Sequence, residues 1–243
     1  VLAGLFLNSH NTDVIEEAAI WNVRLDRPVP DNYNPGESGW IGCRLETMDV
    51  FNGMRKVIHE STGRFEAPNW MPDGKRLLFN ENGSLYTIPI DGGTPEKLNT
   101  GDANRLNNDH GISFDGKWLA ISHSPAGSGS KVYVLPLTGG TPRLITPKAP
   151  SYWHGWTADS KAVLYVAQRD TPVYNIYKSP VGGGPEVQMT FFKSAHVDDP
   201  EASPDGKYIY YNGSQSGTMQ IWRMKPDGSG REQLTFDEHN DWF

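Results

Sequence analysis

Four short turns in this sequence carry nearly the same residues at nearly the same interval, so any fold must place them equivalently. They are Pro72-Asp73-Gly74-Lys75, Phe114-Asp115-Gly116-Lys117, Ala158-Asp159-Ser160-Lys161 and Pro204-Asp205-Gly206-Lys207, and their aspartates are 42, 44 and 46 positions apart. Self-similarity at such a period marks small units that bury their apolar faces only by stacking on one another. Each turn leads into an apolar run: Leu77-Leu78-Phe79, Trp118-Leu119-Ala120-Ile121, Ala162-Val163-Leu164-Tyr165 and Tyr208-Ile209-Tyr210-Tyr211. Asp-Gly between two extended runs reads as a hairpin, because Gly accepts positive φ and Asp bonds the backbone ahead of it.

A second pair of strands follows at constant offset. Its centre is an aliphatic-aromatic pair, Leu85-Tyr86, Val132-Tyr133, Ile176-Tyr177 and Ile221-Trp222, and it ends in glycine turns at 91–95, 138–142, 181–185 and 227–230. The unit closes on Leu98, Leu144, Met189 and Leu234. Each repeat is thus four short strands joined by tight turns, the pattern of one blade, and the expected fold is an all-β propeller of four-stranded blades. Four full repeats are accompanied by partial blades at both ends. Residues 43–58 match a third and fourth strand, and Asp237-Glu238-His239-Asn240-Asp241-Trp242-Phe243 resembles the approach to a new inner strand. The repeat therefore assigns 37–243 to the propeller and leaves 1–36 as an unassigned N-terminal segment, in which 13–21 reads as either a short helix or a strand.

Composition narrows the function. The 26 Gly and 18 Pro suit many turns, and the formal charge of −7 argues against nucleic acid, whose backbone requires clustered Lys and Arg. Cys43 is the only cysteine, which removes an intramolecular disulfide and any cysteine-based zinc site. No run approaches the roughly 20 apolar residues that span a bilayer. The apolar 2–7 reads as the end of a signal peptide or as a first strand, and a chain beginning at Val1 fits processing, trimming or a fragment.

The pattern Pro68-Asn69-Trp70-Met71-Pro72-Asp73-Gly74-Lys75, with Ser203-Pro204-Asp205-Gly206-Lys207 leading to Ile221-Trp222 and Gln233-Leu234-Thr235, resembles the repeat of TolB-like propellers. That resemblance implies a periplasmic or secreted protein that binds a partner. The same repeat is similar to the propellers of prolyl-oligopeptidase-type peptidases and of oligogalacturonate lyases. One scaffold hosts unrelated functions, so the site must decide.

In a propeller the first strand of each blade lines the central channel. Five residues before the repeat aspartate stand Pro68, His110, His154 and Pro200, and the two preceding slots hold Asp109, Trp153 and Asp199, then Asn108, Tyr152 and Asp198. With Glu201, these residues form the expected ligand-binding mouth. Aromatics beside Asn, Asp and His stack on sugar rings and bond hydroxyls, so a carbohydrate or a protein segment is the expected partner. The plainer reading makes the Asp, Asn and His residues caps of local backbone. The leading expectation is a non-catalytic binding propeller without a cofactor. The alternative is a polysaccharide lyase or hydrolase of the oligogalacturonate-lyase type, in which His110 and His154 with Asp109 or Asp199 hold a divalent metal. No catalytic residue is legible. The glycine turns lack a phosphate-loop Gly-Lys-Ser/Thr, and no Gly-x-Ser-x-Gly elbow is present.

Overall fold

The computed structural model describes residues 42–241. Expectations placed on 1–41 and on Trp242-Phe243 lie outside the described residues. The described chain contains eighteen strands and no helix, and therefore no helix long and apolar enough to cross a membrane.

A leading hairpin pairs β1 (Cys43–Met48) with β2 (Arg55–Ser61). Four antiparallel four-stranded sheets follow, each with its strands side by side in chain order. The first blade holds β3 (Phe65–Trp70), β4 (Arg76–Glu81), β5 (Ser84–Pro89) and β6 (Glu96–Lys97). The second holds β7 (Leu106–Ile112), β8 (Trp118–His123), β9 (Lys131–Pro136) and β10 (Arg143–Leu144). The third holds β11 (Ser151–Trp156), β12 (Ala162–Ala167), β13 (Asn175–Pro180) and β14 (Val187–Gln188). The fourth holds β15 (Val197–Ala202), β16 (Ile209–Gly213), β17 (Gln220–Met224) and β18 (Glu232–Gln233).

The repeat signature has a repeated physical role. Oδ1 of Asp73, Asp115, Asp159 and Asp205 accepts a hydrogen bond from the backbone N–H of the lysine two residues on, at 2.9, 3.1, 3.1 and 3.1 Å. Gly74, Gly116 and Gly206 take φ of 65°, 68° and 69° in these turns, and Ser160 adopts the same conformation at 58° despite its side chain. Its hydroxyl compensates by accepting the Asp115 N–H at 3.0 Å, tying the second turn to the third. The threonine that closes each of the last three repeats is equally specific. Thr146, Thr190 and Thr235 each accept, through Oγ1, the N–H of the aliphatic residue that opens the repeat pair, Val132, Ile176 and Ile221.

The core lies between blades. Leu78 and Leu85 of the first blade meet Leu119, Ile121 and Leu135 of the second. Val132 and Val134 meet Trp156, Val163 and Tyr165, and Leu164 and Ile176 meet Ile209, Tyr211 and Met224. Leu45 and Ile58 of the leading hairpin cover Leu77, Phe79 and Ile88 of the first blade, where a preceding blade would pack. The inner strands β3, β7, β11 and β15 adjoin in succession, which brings equivalent slots of neighbouring repeats together.

Candidate functional site

Each inner strand loses register with its neighbour at the same place. The breaks fall between Glu66 and Asn69 in β3, Leu106 and His110 in β7, Trp153 and Gly155 in β11, and Asp198 and Glu201 in β15. An extra residue in one strand bends it and re-aims a side chain, a device common beside functional sites. In three successive blades the residues at these bulges include Asp109, His154 and Asp199. Asp199 sits at φ 47°, and Ala67 occupies the same slot of the first blade at 51°. For residues other than Gly this left-handed conformation is strained, and such strain clusters at functional sites.

The bulges converge on one imidazole. His154 Nδ1 donates to Asp199 Oδ1 at 2.8 Å and Nε2 to Asp198 Oδ1 at 3.1 Å, with the imidazole side chain only 15% exposed. Two donating nitrogens make the ring an imidazolium. Burial pulls its pKa down, but the bonds to both aspartates and the nearby Asp109 charge outweigh burial and hold it at about 10. The carboxylates are themselves oriented. Asp199 Oδ2 accepts from Asn212 Nδ2 at 3.0 Å, and Asp198 Oδ1 accepts the Asp199 N–H at 3.0 Å. Asp109 is bonded by Asn107 Nδ2. Burial, reinforced by Asp198 and Asp199, lifts the Asp109 carboxyl above its ordinary range although His154 and Asn107 oppose the rise. Burial would raise Asp198 too, but there the His154 bond and charge win and its pKa falls. Glu201, on the exposed margin, is raised by lost hydration and by Asp199.

The two histidines of the repeat slot part company. His110 is 4% exposed, and neither ring nitrogen makes a well-aligned hydrogen bond. Burial drives its pKa down to about 4, only partly offset by the backbone of Asn108 and Ala67, so this ring is neutral. The expectation of a two-histidine site is corrected on this point. Only His154, with Asp198 and Asp199, offers ligand atoms mutually close enough, within 4.8 Å, to share an ion among the described residues. Trp153 also departs from expectation. The residue next to the bulge points between blades, is 7% exposed, and brings the outer edge of its six-membered ring against Gly111 in the second-third blade core, so it presents no open face for stacking. Asn108 stays exposed on the rim.

Tyr152 keeps a half-buried position and meets Tyr174 edge-on at 6.0 Å, while Tyr174 faces His196 at 6.5 Å. Burial raises the Tyr174 hydroxyl, with Tyr152 and the Asp198 charge adding to the rise, so this aromatic pair borders the carboxylates. Tyr174 and Asn212 escaped the sequence reading. Asn212 lies directly across from Asp198 in the β15–β16 register, a signal that exists only once strands are paired.

Comparison with known proteins supplies the lineage. Residues 43–235 match the TolB beta propeller domain family. The chain belongs to that family. An uncharacterized protein of Agrobacterium fabrum is 44% identical over 209 residues, spanning 86% of this chain and 71% of that protein. The solved structure of a putative TolB from Agrobacterium tumefaciens superposes with a TM-score of 0.77 at 45% identity, covering 82% of this chain and 72% of that one. TolB from Acinetobacter baumannii gives a TM-score of 0.66 at 22% identity, with 79% of this chain and 48% of that chain covered, a likeness of fold. The TolB-type scaffold therefore carries the carboxylate-histidine cluster where its inner strands meet.

Proposed function

We propose that this TolB-type propeller is a non-catalytic binding module, working in the periplasm or outside the cell, that recognises a protein segment at the mouth formed by the second, third and fourth blades. The observation that carries the reading is the cluster itself: three aspartates held around one imidazolium, with Asn212 and Asn107 fixing the carboxylates. Oriented, partly desolvated carboxylates in excess over the cation favour donor groups of a ligand, above all ammonium and guanidinium. The carbohydrate alternative leaned on Trp153, whose ring is sealed between blades; among the named aromatics, Tyr152 remains to meet a sugar.

Fluorescence anisotropy with unstructured peptides differing only in Lys/Arg or Glu content tests this reading. Basic peptides should bind in a salt-sensitive manner, and Asp199→Asn should weaken them. Saturable binding of neutral oligosaccharides with no peptide binding would replace the proposal. A metal-assisted activity is the second reading, favoured by the closeness of His154, Asp198 and Asp199. A metal would have to take a nitrogen that now donates to a carboxylate, and hence displace a proton. Metal analysis of protein purified without chelator separates the two: a stoichiometric divalent ion whose removal abolishes binding supports the metal site, and sub-stoichiometric metal with chelator-insensitive binding supports the binding module.

A further inference from the structure

A cavity of about 470 Å³ lies beside the second blade, and none of its walls belongs to the carboxylate-histidine cluster. Tyr133 of β9, His123 of β8, Pro125 and Pro142 make an apolar and aromatic wall, and Asp102 and Arg105 stand at its exposed edge. His123 is 7% exposed, meets Tyr133 edge-on with centroids 5.6 Å apart, and has an Nδ1 without a hydrogen-bond partner. The Arg105 guanidinium makes no hydrogen bond or ion pair among the described residues. A guanidinium with no partner among the described residues, set beside an apolar recess, suits a carboxylate on an apolar body.

The third blade has a cavity of its own beside the equivalent tyrosine, with a different set of charges, and by strand register Pro125 of the second blade holds the slot of Arg169. Tyr177 corresponds to Tyr133, since Tyr177 pairs with Gln188 as Tyr133 pairs with Leu144. There the Arg169 guanidinium lies over the Tyr177 ring at 5.2 Å and bonds Glu186 through both Nε and Nη2, at 3.2 and 3.0 Å, and Lys148 adds a third bond to Glu186 at 2.8 Å. Burial raises Glu186, but Arg169, Lys148 and Tyr165 more than reverse this and bring it to about 2. By strand register the slot of Glu186 holds Pro142 in the second blade. The third blade thus pairs its cations with its own Glu186, whereas in the second blade prolines hold the slots of both Arg169 and Glu186 and the cation at the cavity is Arg105.

We infer that the second-blade recess is a binding pocket for a small aromatic carboxylate, its acid group on Arg105 and its ring against Tyr133, His123 and the prolines. The pocket is independent of the mouth described above. Calorimetric titration of the full chain with indole-3-acetate and with its neutral amide tests this. The carboxylate should bind saturably and the amide about 10-fold or more weaker, the difference expected for a charge-assisted pair. Arg105→Gln should erase that preference without moving the unfolding midpoint, Tyr133→Leu should weaken both probes, and Asp102→Asn should tighten the carboxylate by removing a like charge. Asp199→Asn, which should weaken basic peptides at the mouth, should leave the titration of both small probes as it is. Absence of saturable binding, equal binding of acid and amide, or loss of binding in Asp199→Asn would each overturn the assignment, the last by moving the ligand to the mouth.

Discussion

Replacing His154 with Gln tests whether the cluster is held by an imidazolium. In the fold this ring titrates near 10, against 6.5 for a free histidine. The sign follows from linkage: a group raised by folding contributes its full stabilisation below the unfolded pKa and loses it as pH climbs through the folded one. At 1.36 kcal/mol per unit, the interval from 6.5 to about 10 corresponds to roughly 5 kcal/mol present at pH 6 and gone above pH 10. His154→Gln removes the cation and leaves Asp109, Asp198 and Asp199 facing one another. At pH 6 the variant should therefore be several kcal/mol less stable, in line with about 3–5 kcal/mol for breaking a buried ion pair. Urea unfolding of both proteins at pH 6, 7, 8, 9 and 10 reads the effect. The gap between wild type and variant should narrow by about 1.4 kcal/mol per pH unit above 6.5 and approach zero near pH 10. Comparing the two proteins cancels tyrosines and other groups that titrate in the same window. A gap that stays constant with pH would refute the imidazolium, and with it the charge balance assigned to the site.

Other residues test the packing that places the cluster. A Cβ at Gly111 would lie 2.1 Å from Trp153 Cη2 and 2.8 Å from Cζ3, so Gly111→Ala should cost about 1–3 kcal/mol by overpacking the interface between second and third blades; an unchanged urea midpoint would contradict the sealed position of Trp153. Ala67 holds the strained conformation of Asp199's slot, so Ala67→Gly should be neutral or stabilising by up to about 1 kcal/mol, where Gly in an ordinary strand costs about 0.5–1 kcal/mol. A clear loss in thermal unfolding would show that the bulge is not strained.

The sequence determined the repeat and what a repeat dictates. The Asp-x-Lys turns, the aliphatic-aromatic pairs and the closing threonines are local instructions: apart from the Ser160–Asp115 bond between neighbouring turns, the hydrogen bonds described for them join residues within one blade, so their spacing in the chain already states their geometry. Counting back from the turns also placed Asp109, His154, Asp198 and Asp199 together, because equivalent slots on successive inner strands must be neighbours. Tertiary structure alone decided what each slot does. His110 and His154 occupy the same slot, yet one is buried with no carboxylate beside it and neutral while the other is clamped by carboxylates and charged, since protonation depends on side chains contributed by other blades. Trp153 and His154 are adjacent in the chain and so point to opposite sides of β11, and it is the packing of neighbouring blades that makes one side core and the other the carboxylate cluster. A strand's alternation is written in its sequence, but the point where that alternation breaks is set by the strand beside it.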